Sequence, residues 1–235
     1  MNRFPFLVLS LLPFFSHFRG TPHQLAAISE LEDALPEELL REDAAWFEAW
    51  KASGIAQQVV VPYFHQLDNK SGQGYRECFS SSMAMISAFY GKVKTDDQYN
   101  RIRSRFGDTT SISAQVNTLR SLGLHAEFRQ DGDGSLIEAE IAAARPIAVG
   151  WLHRGDRSRG EPPMCDSYGC GHWSVIVGFD NDDLIMHDPR GTPDLERGGH
   201  SRYGGKNVKV SRQAFKQRWE VEGAGTGWVI LVDDE

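Results

Sequence analysis

The stretch from Val61 to Gly91 constrains the fold of this chain more than any other. It reads VPYFHQLDNKSGQGYRECFSSSMAMISAFYG: the end of an apolar lead-in that begins at residue 59, a polar loop, and an apolar run free of Gly and Pro. Gly91 stands where a helix C-cap glycine is expected. Apolar side chains recur at helical spacing at Phe79, Met83, Ile86 and Tyr90. This spacing predicts a largely buried helix that begins at Cys78 and follows a β-rich lead-in over residues 59–64.

A cysteine in the first turn of a helix has a specific chemistry. The helix N-terminus carries partial positive charge and unpaired N–H groups, and both favour a thiolate over a thiol. Cysteines placed in this way can have pKa values of roughly 3.5 to 7.5. The alternative is a buried structural cysteine, which is common in protein cores.

A second segment supplies partners for a reactive cysteine. His172 opens the apolar run SVIVGF, a polar turn DNDD follows, and a second short run ends at Asp188. This pattern predicts a β-hairpin with a histidine at its start and a carboxylate at its end. A nucleophilic cysteine needs a base, and the base needs a group that orients its ring. Gln66, twelve residues before Cys78, suits an oxyanion donor.

The hairpin allows a geometric test of the His–Asp pair. A loop of two or four residues places Asp188 opposite Val175, on the face of the sheet away from His172. A loop of three residues, or a β-bulge, places Asp188 opposite Ser174 instead, as a diagonal neighbour of His172. A catalytic pair therefore requires an odd-length loop or a bulge.

The pattern VPYFHQ…C…helix…GHWSVIVGFD…HDPRG resembles papain-like cysteine peptidases of the bacteriocin-processing, double-glycine type, and in particular their free-standing forms in bacteria and bacteriophages. The resemblance covers roughly residues 59–232. It implies a papain-like α+β fold, with an N-terminal catalytic helix packed on an antiparallel sheet. It also implies roles for four residues: Cys78 as nucleophile, His172 as base, Asp188 as orienting group and Gln66 as oxyanion donor. The family usually has Gly-Pro after its cysteine, where this chain has Phe79-Ser80.

Further residues are candidates for the substrate cleft. Loops 153–171 and 191–206 adjoin the two ends of the His–Asp segment and are expected to wall the cleft. Trp173, His153 and Asp68 are the candidate cleft residues; His200, like His153, lies in one of the loops without a pattern that singles it out. His187 should point to the opposite face of its strand from Asp188.

The cysteine count bears on redox state and metals. Cys165 and Cys170 are close enough to bridge, which leaves Cys78 free among the three cysteines. A disulfide or two free thiols is preferred over zinc bound by Cys165, Cys170, His172 and His187, because the C-x4-C-x-H spacing suits structural zinc poorly. No metal and no cofactor are expected.

Charge and hydropathy divide the chain into three parts. The net charge of −7 argues against nucleic-acid binding, and residues 23–50, with eight acidic residues and one Arg, account for all of it. Residues 1–22 include an apolar run too short for a membrane span. The prediction is an apolar segment (1–22) that docks into a protein partner, an acidic helical arm (23–54) and a peptidase domain (55–235). A signal peptide is the alternative for the first segment.

These observations predict a cysteine peptidase that cleaves an amide bond. The substrate is expected to be a peptide, in particular a peptidoglycan cross-link, with the enzyme carried by a phage virion, such as its tail, or by a secreted assembly rather than staying in the cytoplasm. Another papain-like chemistry, such as amide transfer, is a second hypothesis. A non-catalytic structural module of a larger assembly, such as a phage tail, is a third.

Overall fold

The computed structural model describes residues 57–165 and 171–234. The described residues belong to one compact unit. The apolar segment 1–22 and the acidic arm 23–54 lie outside them, so the boundaries and roles proposed for those segments stay predictions. Within the described ranges, no helix is both long enough and apolar enough to cross a membrane.

Seven strands of the described part form one antiparallel sheet, in the order β2-β7-β3-β4-β5-β6 with β1 beside β4. The central strand β4 is buried along its whole length, as expected for a strand covered on both faces. The strands are β1 Gln57–Gln58, β2 His125–Gly132, β3 Ile147–Trp151, β4 His172–Phe179, β5 Asp183–His187, β6 Val208–Ser211 and β7 Gly227–Asp233.

The α-helices of the described part begin in two different ways. Four of them start at a side-chain cap, in which Thr95, Ser111, Asp133 or Ser211 accepts a backbone N–H of the first turn. In helix α1 the N-cap residue is Glu77, and its side chain makes no hydrogen bond to the N–H groups of the first turn. The first-turn N–H groups of α1 therefore stay available beside Cys78. The helices are α1 Cys78–Phe89, α2 Asp96–Arg103, α3 Ile112–Ser121, α4 Gly134–Ala142 and α5 Arg212–Trp219.

Helices cover both faces of the sheet. On one face, α1 packs Phe79 and Met83 against alternate residues of β4 in a core that α2 and α3 extend. On the other face, α4 and α5 lie together, and the Phe215 ring of α5 is 5.9 Å from the Trp151 ring of β3. The predicted α+β fold, with a catalytic-type helix on an antiparallel sheet, is confirmed.

The lead-in before the site differs from the prediction. Residues 59–64 are not a strand; pairing with β4 is limited to β1 and to one further bond, from the Val59 N–H to the Val177 carbonyl at 2.7 Å. Pro62 has no N–H to donate, so the ladder cannot continue through it. The chain leaves the sheet there, and the Gln66 N–H binds the Pro189 carbonyl at 2.8 Å. This departure carries Gln66 to the segment that follows Asp188.

Candidate active site

The β4–β5 hairpin has the bulge that a His–Asp pair requires. Phe179 pairs with Leu184 across a four-residue loop, which alone would place Asp188 opposite Val175. The register shifts by one residue between Ile176 and Gly178, so that Val175 pairs with His187. Asp188 is thereby brought beside Ser174, whose hydroxyl donates to Asp188 Oδ2 at 2.9 Å. The geometric condition set by the sequence is met through the bulge.

His172 and Asp188 are in direct contact. The Nε2 atom of His172 lies 3.0 Å from Oδ1 and 2.9 Å from Oδ2 of the Asp188 carboxylate, and both side chains are buried. Because Nε2 faces the carboxylate, Nδ1 is the ring nitrogen left for the cysteine. The carboxylate therefore fixes the tautomer and the orientation of the imidazole.

The Asp188 carboxylate has several donors besides His172. It accepts from the Ser174 hydroxyl, from the Arg190 N–H at 2.8 Å and from His200 Nε2 at 3.2 Å. Burial raises the pKa of Asp188, but the charge of His172 and the hydrogen bonds from His172 and His200 outweigh burial and hold that pKa below its usual value. Asp188 is therefore an anion at neutral pH, in spite of complete burial.

Cys78 lies at the junction of α1 and β4. Its sulfur interacts with the His172 ring and with the backbone N–H of Trp173. Burial raises the pKa of Cys78, but the charge and hydrogen bond of His172 and the Trp173 N–H together lower it below that of a free thiol. Burial alone would lower the pKa of His172; Asp188 and Cys78 instead raise it to about 10. Both shifts favour a thiolate beside an imidazolium over the neutral pair.

Gln66 is anchored to both sides of the site. Its backbone N–H binds the carbonyl of Pro189, directly after Asp188. Its side-chain Nε2 donates to the Gly74 carbonyl at 2.6 Å, four residues before Cys78. The amide is buried and uses one of its two Nε2 hydrogens in this bond, and its role as an oxyanion donor stays a prediction.

The other candidates from the sequence fall in different places. Trp173 is only 8% exposed and stacks on Phe79 with ring centroids 3.9 Å apart, so core packing accounts for it. Asp68 is exposed at the end of the 3-10 helix that begins at Gln66. His187 points away from the site, as expected, and its ring binds the Val61 carbonyl and the Asn207 N–H. The cleft roles of Trp173 and Asp68 stay predictions.

Phe79 and Ser80, which stand where the family usually has Gly-Pro, both contact neighbouring elements. The Phe79 ring stacks on Trp173, as above, and the Ser80 hydroxyl lies 2.6 Å from that of Thr109 and accepts from Gln115 Nε2. Both side chains therefore tie the start of α1 to its neighbours. Cys78 is a free cysteine, Cys165 is disulfide-bonded, and Cys170 lies outside the described residues.

Two loop histidines adjoin the His172 ring. The His153 ring lies 5.3 Å from it, stacked at 26°, and the His200 ring lies 4.3 Å away. Burial lowers the pKa of both His153 and His200, which are neutral at pH 7. The sequence did not single out His200, because a histidine in a Gly-rich loop has no periodicity that indicates where it points.

Sulfur, imidazole and carboxylate thus lie together at a helix N-terminus, on an α+β scaffold. The fold is that of the papain-like cysteine peptidases. Within that class the chain belongs to the Peptidase_C39 like family, whose model matches residues 59–225.

Three solved structures are similar to this chain. A putative C39-like peptidase from Bacillus anthracis is 18% identical, with a TM-score of 0.50, and the match covers 75% of this chain and 98% of that one. A double glycine motif protease from an AMS/PCAT transporter, solved with its leader peptide, is 19% identical, with a TM-score of 0.44 and coverages of 75% and 93%. The peptidase domain of Streptococcus ComA, a bifunctional ABC transporter, is 18% identical, with a TM-score of 0.46 and coverages of 68% and 93%. No curated protein matches the chain.

Proposed function

We propose that this protein is a cysteine peptidase that hydrolyses an amide bond through Cys78, His172 and Asp188. The observation that carries the proposal is the position of the His172 ring between the Cys78 sulfur, with which it interacts, and the Asp188 carboxylate, which lies 2.9 Å from its Nε2. A thiolate is the reactive form of cysteine, and here both of its immediate neighbours, His172 and the Trp173 N–H, stabilise it.

The reaction follows from these positions. The Cys78 thiolate attacks the carbonyl carbon, and the oxygen of the tetrahedral intermediate is stabilised by the Cys78 N–H and the Gln66 amide. The His172 imidazolium gives its proton to the leaving amine. Neutral His172 then takes a proton from water, which attacks the thioester, releases the acid and restores the thiolate. Asp188 keeps its negative charge and orients His172 throughout.

For the substrate, we propose a peptide cross-link of the bacterial cell wall, reached from a virion or a secreted assembly. This choice rests on the resemblance to free-standing members of the family. Double-glycine leader peptides are the competing substrate class, since a relative was solved with its leader peptide. Incubation of the protein with purified peptidoglycan, and separately with such leaders, followed by mass spectrometry of the new termini, distinguishes the two and also separates hydrolysis from amide transfer.

The test of catalysis is the variant Cys78→Ala. We expect it to abolish the release of new termini from every substrate that the wild-type chain cleaves. The matched control is Ser87→Ala on the same helix, because the Ser87 hydroxyl is buried and has no hydrogen-bond partner among the described residues; this variant should retain activity. Undiminished cleavage by Cys78→Ala would rule out Cys78 as the nucleophile, whereas a wild-type chain that cleaves none of these substrates would favour a structural module that keeps the peptidase fold.

A further inference from the structure

Three imidazoles from separate segments converge beside the nucleophile. His153 follows β3, His172 opens β4, and His200 lies in loop 191–206. One ligand atom from each ring lies within 4.8 Å of the other two, and this is the one group of three or more metal-ligating side chains of this kind in the described ranges. Only His172 is needed for the proposed proton transfers.

The separation of two of the nitrogens matches that of metal ligands. The Nδ1 atoms of His153 and His200 are 3.4 Å apart. Two nitrogens bound tetrahedrally to one zinc ion, at ~2.0–2.1 Å each, lie ~3.3–3.4 Å from each other. One edge of a tetrahedral site therefore already has the right length, and the third ring has a ligand atom within 4.8 Å of both nitrogens.

The surroundings of His200 also suit a metal ligand. Its Nε2 binds Asp188 Oδ2 at 3.2 Å, which leaves the Nδ1 lone pair directed at His153. Histidines that bind metals commonly give their other ring N–H to a carboxylate in this way. The buried negative charge of Asp188 offsets the charge of a divalent cation. His153 is partly exposed, and His200, whose side chain is 3% exposed, lines a surface cavity of about 670 Å³.

We propose that His153, His172 and His200 form a binding site for a zinc-class divalent transition-metal ion, and that the bound ion reversibly inhibits the peptidase. Imidazole ligands select such ions over calcium and magnesium, which prefer oxygen. Binding of the ion does not depend on the proposed function; inhibition does.

Inhibition follows from the two partners of His172. Its Nε2 faces Asp188, and its other nitrogen faces the Cys78 sulfur. Whichever nitrogen binds the metal must give up one of these partners. An occupied site therefore removes either the base that serves Cys78 or the carboxylate that orients the ring, and chelation restores both.

Metal binding is measured first, in the full chain carrying Cys78→Ala, so that catalysis has no part in the result. Isothermal titration calorimetry with Zn²⁺ should show one ion per chain at this site, and Co²⁺ should give the visible absorption of a tetrahedral complex. Adding His153→Gln or His200→Gln should weaken Zn²⁺ binding at least 10-fold. The control His125→Gln, an exposed histidine on β2, should leave it unchanged, and Mg²⁺ should not bind.

The second measurement is the Zn²⁺ concentration that halves peptidase activity, each variant being compared with its own metal-free rate. This half-inhibiting Zn²⁺ concentration should be at least 10-fold higher in His153→Gln and in His200→Gln than in the wild type. A chelator should restore the activity of the Zn²⁺-inhibited wild type. The two histidine variants are measured separately, so that the test still stands if one of them misfolds. Cooperative unfolding of each metal-free variant confirms that it is folded. The site is overturned if Zn²⁺ does not bind, or if both histidine variants bind Zn²⁺ as tightly as the chain that carries Cys78→Ala alone. Zn²⁺ binding without loss of activity would overturn the proposed inhibition and leave the metal site standing. A metal-free wild type without peptidase activity would overturn the proposed function and leave the metal site standing.

Discussion

At the scale of single residues, the hydrogen bonds of the site converge on Asp188. A fully buried carboxylate is costly unless donors replace its hydration. Here His172, His200, the Ser174 hydroxyl and the Arg190 N–H supply them. The Ser174 hydroxyl in turn accepts the Trp151 indole N–H at 3.0 Å. Because each donor holds Asp188 from a different side, the carboxylate can hold the His172 ring in one orientation.

The variant Asp188→Asn should therefore lower kcat/KM by about 10²–10⁴-fold. An amide has one accepting oxygen for these donors, and it lacks the charge that raises the pKa of His172. The alkaline limb of the pH–rate profile should move to lower pH, because the imidazolium loses its proton more readily. The pH dependence of kcat/KM measures both effects. Asp182→Asn, an exposed carboxylate in the turn of the same hairpin, is the control; an unaltered profile in Asp188→Asn would contradict the role of the carboxylate.

At the scale of elements, much of the site follows from sequence periodicity. The apolar spacing from Phe79 to Tyr90 placed the start of α1 at Cys78, where the structure has it. Strand parity required a bulge or an odd-length loop between His172 and Asp188, and the bulge lies at Val177. Both inferences succeed because helices and strands impose fixed side-chain periods.

Periodicity carries no information about the loops. His153 and His200 meet beside His172 only because loops 153–171 and 191–206 fold against each other, as in the bond from the Gly199 N–H to the His153 carbonyl at 2.7 Å. The strand predicted over residues 59–64 is wrong because periodicity does not report long-range contacts. The apolar residues fit a strand, but Pro62 and the contacts of this segment with residues 189 and 205 take the backbone out of the sheet.

The loop before α1 offers a test of Gln66. A Cβ on Gly74 would lie 2.1 Å from the Gln66 carbonyl oxygen, so Gly74→Ala must displace the backbone that positions the Gln66 amide. We expect kcat to fall by about 10²–10³-fold, the cost of losing one oxyanion donor, with a smaller change in KM. Steady-state kinetics, with thermal unfolding to confirm the fold, measures this.

The control for that variant is Gly134→Ala at the start of α4, where a Cβ meets nothing within 4 Å. It should leave kcat unchanged. If Gly74→Ala retained wild-type kcat with Gln66 displaced, the amide would have no part in oxyanion stabilisation.

At the scale of the whole molecule, Arg218 joins the two loops that carry His153 and His200. Its guanidinium, on the buried side of α5, donates to the carbonyls of Leu152, Arg154, Gly155, Leu195 and Glu196. One side chain from the helix layer therefore fixes the relative position of segments about forty residues apart in sequence. The histidine cluster depends on this bridge, although Arg218 contacts none of its rings.

The variant Arg218→Lys should lower the free energy of unfolding by roughly 2–4 kcal/mol, because an ammonium has three donors for five carbonyls and hydrogen bonds to charged groups contribute about 1.5–3 kcal/mol each. Urea denaturation measures the loss. In the control Arg120→Lys, the guanidinium serves a single carbonyl, that of Ala126, so the loss should be smaller. Equal losses in the two variants would show that Arg218 does not bridge the loops.

The central claim is that Cys78 is a thiolate maintained by His172, and the pH dependence of its alkylation tests this most directly. Cys78 is alkylated with iodoacetamide at a series of pH values and quantified by peptide mass mapping, in the wild type and in His172→Gln. Because His172 lowers the pKa of Cys78, the wild-type reaction should be half-maximal well below the ~8.5 of a free thiol and be lost only as pH falls through that lowered pKa. In His172→Gln the midpoint should move to ~8.5 or above, since burial then acts without its opposing charge. A midpoint at alkaline pH in both proteins would contradict the account.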